Sequence, residues 1–181
     1  MRETVDKIDA ISVLNLTTTL LQAVNEAWRH TLAQDIHQAY SSMTVVRDNL
    51  PRLQKYWEAA KTWSEDEVLD LRARGEEITT TNLMQHYRIL SNTVLALLGS
   101  SQEDTVVGQA AGWMALLTIT ICALPSLVVQ KTSDPTIVLA KMADGFAESI
   151  GPACEALTLS NYLQRGQLVY DELDGIEGFN N

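Results

Sequence analysis

The sequence predicts an all-α fold, a single-domain multi-helix bundle with a long N-terminal helix and a central apolar helix over about 105–130. Three observations carry this expectation. Apolar residues recur at three- and four-residue steps, the period of a helix, while β-branched alternation is rare. Helix breakers are scarce, with 9 glycines and 4 prolines in 181 residues. Finally, Thr105 to Gln130 is an uncharged run, apolar on all sides, as expected of a helix surrounded by other helices.

The elements follow in order. Val5, Ile8, Ile11, Leu14, Leu20, Leu21, Val24, Trp28, Leu32, Ile36, Tyr40 and Met43 keep one stripe on one face, predicting a helix over about 3–47. Ser41-Ser42 offers a place for a break. Asn49-Leu50-Pro51 punctuates, since proline suits a first turn, and a second helix is expected over 51–62. Ser64 three residues ahead of Glu67 has capping-box form and predicts a helix over 65–74, stopping at Gly75. A helix over about 80–98 carries Leu83, Met84, Tyr87, Leu90, Val94, Leu97 and Leu98, with Gly99 as its C-terminal cap. Asp134-Pro135 is an N-cap followed by a first-turn proline. The helix it opens is expected to end at Gly151-Pro152, with another over 152–165. The bundle is expected to occupy 1–168, and the acidic stretch 169–181 to form a frayed tail.

Thirteen Lys and Arg against 23 Asp and Glu give a net charge of −10. The imbalance sits mainly in the second half, −7 over residues 89–181 against −3 over 1–88. This argues against binding nucleic acid through its phosphates. One basic stretch, Arg47, Arg52, Lys55, Lys61, Arg72 and Arg74, alternates with aromatics, but interleaved acids cancel its field. Cys122 and Cys154 lie in apolar surroundings and read as buried thiols. The charged start, MRETVDKIDA, lacks the pattern of a signal peptide, so the expected location is cytoplasmic.

The uncharged run has a second reading, a membrane-spanning or membrane-inserting helix. It exceeds the roughly 20 residues needed to cross a bilayer, and Gly108 and Gly112 form a GxxxG pair suited to close helix packing. Against it stand Gln109, Thr118, Thr120 and Ser126 within the run, and an acidic N-terminal flank. The positive-inside tendency would require about 104 charged and polar residues to cross. The buried core helix is the preferred reading.

No motif names a reaction. His30 and His37 share a helix face, with Glu26 one turn before His30 and Asp35 near His37, but neither HExxH nor paired Glu-x-x-His motifs are present. His86 stands alone. GxSxG, Walker and dinucleotide signatures are missing too. No catalytic residue, metal, cofactor or small-molecule substrate is inferred. The sequence points to a non-enzymatic helical adaptor or assembly protein, acting on a protein partner or by self-association. Its candidate interface is Trp28, Tyr40, Tyr56, Trp57 and Trp63, residue types enriched in interface anchors. Gly108 and Gly112 are candidate close-packing positions.

Overall fold

Gln34 and Asp35 divide the expected N-terminal helix in two. The computed structural model describes residues 10–77, 105–130 and 133–174, with side chains over 11–77, 106–130 and 133–158. Helix α1 covers Ala10–Leu32 and α2 covers Ile36–Ala60. Gln34 adopts a left-handed conformation with φ 62°, which reverses the chain at a residue that gains little from it. Asp35 then caps α2, its carboxylate accepting from Gln38 N at 3.2 Å. No break occurs at Ser41-Ser42, and Pro51 lies inside α2 rather than at the start of a new helix. A proline there removes one ladder bond, but the ring is exposed while Leu53 and Ala60 beyond it are buried. Burial of that far end holds the helix together across the lost bond.

Helix α3 spans residues 65–77. Its capping box forms as predicted: Ser64 N donates to Glu67 Oε2 at 2.9 Å, and Glu67 N to Ser64 Oγ at 3.3 Å. The helix continues through Gly75 instead of stopping there. The residues beyond, including the helix expected over 80–98 and His86, lie outside the described residues.

The uncharged run forms two helices, α4 over Thr105–Cys122 and α5 over Leu124–Val129, with Pro125 in the first turn of α5. Helix α6 spans Pro135–Asp174, and Asp134 Oδ1 accepts from Thr136 N at 2.9 Å at its start. It does not end at Gly151-Pro152, and it runs past the boundary expected at 168. Pro152 is exposed, and Gly151 leaves room for Tyr40, whose Oη would lie 3.2 Å from a Cβ at that position. Contact with α2 therefore keeps this stretch helical where local signals predict a stop.

Among the described residues all regular structure is helical, in these six helices. Helices α1, α2, α6 and α4 pack in that cyclic order, each against the next and α4 back against α1. Arg47 bonds Asp144 at 3.3 Å, and Tyr40 meets Gly151, so α2 and α6 run antiparallel. Trp28 and Phe146 meet across the centre, both 0% exposed, with ring centroids 6.5 Å apart at 45°. The core also takes Leu20, Val46, Leu53, Met114, Leu117, Ile121, Leu139 and Ile150. Two of its buried hydroxyls turn back on their own helices, Thr17 donating to Val13 O at 2.9 Å and Thr31 to Ala27 O at 2.7 Å. Helices α3 and α5 close one end. No helix among the described residues is long and apolar enough to cross a membrane.

Candidate interaction surface

The five aromatics expected to form an interface do not share a surface. Trp28 is sealed in the core, which corrects its assignment as an exposed anchor: it faces inward because its stripe of α1 packs against α6. Tyr40 is exposed at 41%, on the α2 face turned toward Gly151 of α6. Tyr56 is half-buried against the core. Trp57 and Trp63 gather near the end of the bundle, where α2, α3 and α5 meet. The Trp57 indole N–H donates to Gln130 O at 3.3 Å, and Lys61 Nζ sits 3.8 Å above its ring. Trp63 lines a cleft of about 360 Å³ with Val68, Leu69 and Val129, edged by Glu65 and Arg72. Leu69 is 60% exposed there.

Glu26 and His30 also come together on one feature. They line an open groove of about 330 Å³ between α1 and α2, with Thr19, Gln22, Gln38, Ser41 and Ser42. His37, exposed on α2, is not part of its wall. Among the described residues, no three His, Cys, Asp or Glu converge as metal ligands would. Neither cysteine is in a disulfide. Burial raises the Cys122 thiol to about 11, and burial, aided by the Asp35 charge, raises Cys154. Both thiols are therefore held protonated, the opposite of what a nucleophile needs.

Among the described residues, the most extensive apolar exposure lies on α4. Its inward residues are Val107, Ala110, Ala111, Met114, Leu117, Thr118 and Ile121. Outward, Gly108, Gln109, Gly112, Trp113, Leu116 and Ile119 recur at three- and four-residue steps and form one stripe. Trp113 is 38% exposed, Leu116 49% and Ile119 55%. Helix α6 flanks this stripe in antiparallel orientation. The Trp113 ring lies across Gly145, where a Cβ would come within 2.9 Å of it, and Thr120 Oγ1 lies 2.9 Å from Met142 Sδ nearer the other end of α4. Gly145, Lys141 and Val138 share one face of α6 by helical spacing, so Val138, with Ile137 beside it, extends the patch. Half of the exposed large apolar side chains among the described residues, five of ten, belong to this α4/α6 face.

This surface lies on the central helix α4. Only one side of it is covered among the described residues. Gly108 and Gly112 are exposed, and among the described residues a Cβ at either would meet nothing within 4 Å. The close packing expected at these glycines is thus not made with any described residue. Sequence periodicity could not expose the face, since α4 is apolar on both sides and its hydropathy carries no phase.

No family model, curated protein or solved structure matches the chain.

Proposed function

We propose that the protein is a non-enzymatic helical adaptor or assembly protein that works through protein–protein contact on the α4/α6 face. The observation that carries this reading is the concentration of Trp113, Leu116, Ile119, Ile137 and Val138 on one face. Their exposures leave on the order of 500 Å² of apolar surface together, within the range where the largest patch of a monomer is often functional. A tryptophan with aliphatic neighbours, rimmed by Gln109 and Lys141, has the make-up of an interface centre and its edge. The cleft at Trp63 and Leu69 is a smaller surface of the same kind.

The test compares the full chain with a Leu116→Glu/Ile119→Glu variant in quantitative affinity capture, after circular dichroism shows equal helicity. The expected result is loss of specific partners, a second copy of the chain included, in the variant alone. Identical recoveries would remove the reading. A membrane-inserting role for the same face is read in parallel by co-sedimentation with phosphatidylcholine/phosphatidylserine vesicles. Pelleting of the wild type but not the variant would favour lipid over protein as its partner.

A further inference from the structure

We infer that the occupant of the α4 face is a second copy of this chain, packed antiparallel, α4 against α4, about a twofold axis near Met114. The inference rests on the proposed contact role of this face and names its partner.

The first argument is shape. The exposed stripe of α4 is divided into a small half and a bulky half. Gly108 and Gly112 occupy its N-terminal part with no described residue above them, whereas Leu116 and Ile119 project from its C-terminal part. A twofold contact is isologous, so whatever one copy offers the other must accept on the same surface. Antiparallel pairing centred near Met114 sets Leu116 of one copy over Gly112 of the other, and Ile119 over Gly108 and Gln109. Knobs then meet holes. Parallel pairing would set Leu116 against Leu116 and leave the two glycines facing one another across a gap.

The second argument is charge. On the α6 face beside this stripe, Lys141 and Glu148 are both exposed and two turns apart, with Gly145 between them. Since Gly145 lies under Trp113 and α6 runs antiparallel to α4, Lys141 flanks the bulky end and Glu148 the glycine end. Antiparallel association brings Lys141 of each copy toward Glu148 of the other. Parallel association, with its twofold along the helices, would put the two α6 helices on opposite sides of the α4 pair and form neither of these charge pairs.

The third argument is area. About 500 Å² of exposed apolar side chain per copy, with a rim of Gln109, Lys141 and Glu148, approaches the ~800 Å² per partner of a standard specific interface. A twofold contact buries the patch twice and leaves no unpaired copy of it open, so the association closes at two.

The experiment is sedimentation equilibrium on the full chain from about 1 to 100 μM, with Gly112→Leu and Ile119→Glu variants. A dimer of about 40 kDa is expected, twice the 20.0 kDa chain. Gly112→Leu should weaken association at least tenfold while leaving the thermal melt of the monomer intact, because a Cβ at 112 meets nothing within 4 Å among the described residues. Ile119→Glu, on an exposed site, should do the same by a different route. Register is tested by oxidative cross-linking. Chains with Gly112→Cys should join chains with Leu116→Cys in a mixture, and neither should join its own kind. A strictly monomeric wild type, a dimer indifferent to Gly112→Leu, or efficient self-joining of Gly112→Cys would each overturn the inference. A monomeric wild type whose partner capture still depends on Leu116 and Ile119 would remove the second copy but keep the contact role of the face. A dimer insensitive to both substitutions, with capture equally insensitive, would remove both.

Discussion

Gly75 of α3 rests directly on Pro125 of α5: a Cβ at position 75 would lie 2.6 Å from the proline Cβ and 3.1 Å from its Cγ. The contact explains why α3 continues through a residue that local rules assign to a helix end. It also ties α3 to the end of α5, against a ring that cannot rotate away. Gly75→Ala gains about 1 kcal/mol of helix propensity, yet overpacking against a rigid partner costs typically 1–3 kcal/mol. The expected net is destabilising, a fall in melting temperature of a few degrees by calorimetry. An increase would mean that α3 moves freely off α5.

Gln34 predicts the opposite sign. Its φ of 62° carries a cost that glycine does not bear. The contact it would give up, Oε1 to Thr158 Oγ1 at 3.3 Å, is exposed. Gln34→Gly should therefore stabilise the fold by roughly 1 kcal/mol, read as a higher urea midpoint at unchanged slope. A lower midpoint would show that the side chain contributes more than its backbone costs.

Trp28 separates volume from polarity. The ring is fully buried, and its indole N–H has no acceptor among the described residues. Trp28→Ala opens a large cavity beside Phe146 and should cost about 3–5 kcal/mol. Trp28→Phe also loses volume but removes the unpaired donor, whose burial opposes folding by about 1–3 kcal/mol. It should cost less than half as much. Equal losses in denaturant titrations would reveal a partner for the indole nitrogen.

The buried cysteines predict an alkaline limit to stability. Cys122 has its pKa raised from 9.0 to about 11 by burial, so the folded chain keeps a proton that the unfolded chain releases. The stabilisation is fully present below pH 9 and is lost as pH rises toward 11. Cys154 shifts in the same direction, from burial first and the Asp35 charge second. Cys122→Ala should flatten the decline of unfolding free energy over this window by on the order of 2 kcal/mol at most, measured against wild type at pH 8 and pH 10.5. An unchanged slope would mean that the thiol ionises equally in both states.

Much of the fold was legible where a single residue dictates a helix end. Ser64 and Glu67 act through two short-range hydrogen bonds and Asp134 through one to Thr136 N, ahead of a first-turn proline, and both helix starts form. The errors fall where tertiary contact overrides a local preference. Pro51 and Pro152 remain inside helices because residues beyond them are buried, and Gly151 remains because Tyr40 fills the space a side chain would take. The α1–α2 reversal falls on Gln34, a residue without turn character, and its one local signal is Asp35, a residue type that favours N-caps. The candidate surface was the least legible. Trp28 and Trp63 have the same composition as an anchor or a core residue, and only packing separates them. The uncharged run announced that α4 touches the core but not that its other side stays open.

The position of Trp113 gives the chain an optical probe of its own apolar face. Trp28 is sealed, Trp57 and Trp63 are half-buried at the far end, and Trp113 lies on the stripe at 38% exposure. In a chain carrying Trp57→Phe and Trp63→Phe, two indoles remain: one dark to a collisional quencher such as iodide, the other open to it. Whatever settles on α4, a second copy, another protein or a lipid surface, must pass over that ring. It will shift the emission to the blue and shield it from iodide, in light the protein itself emits.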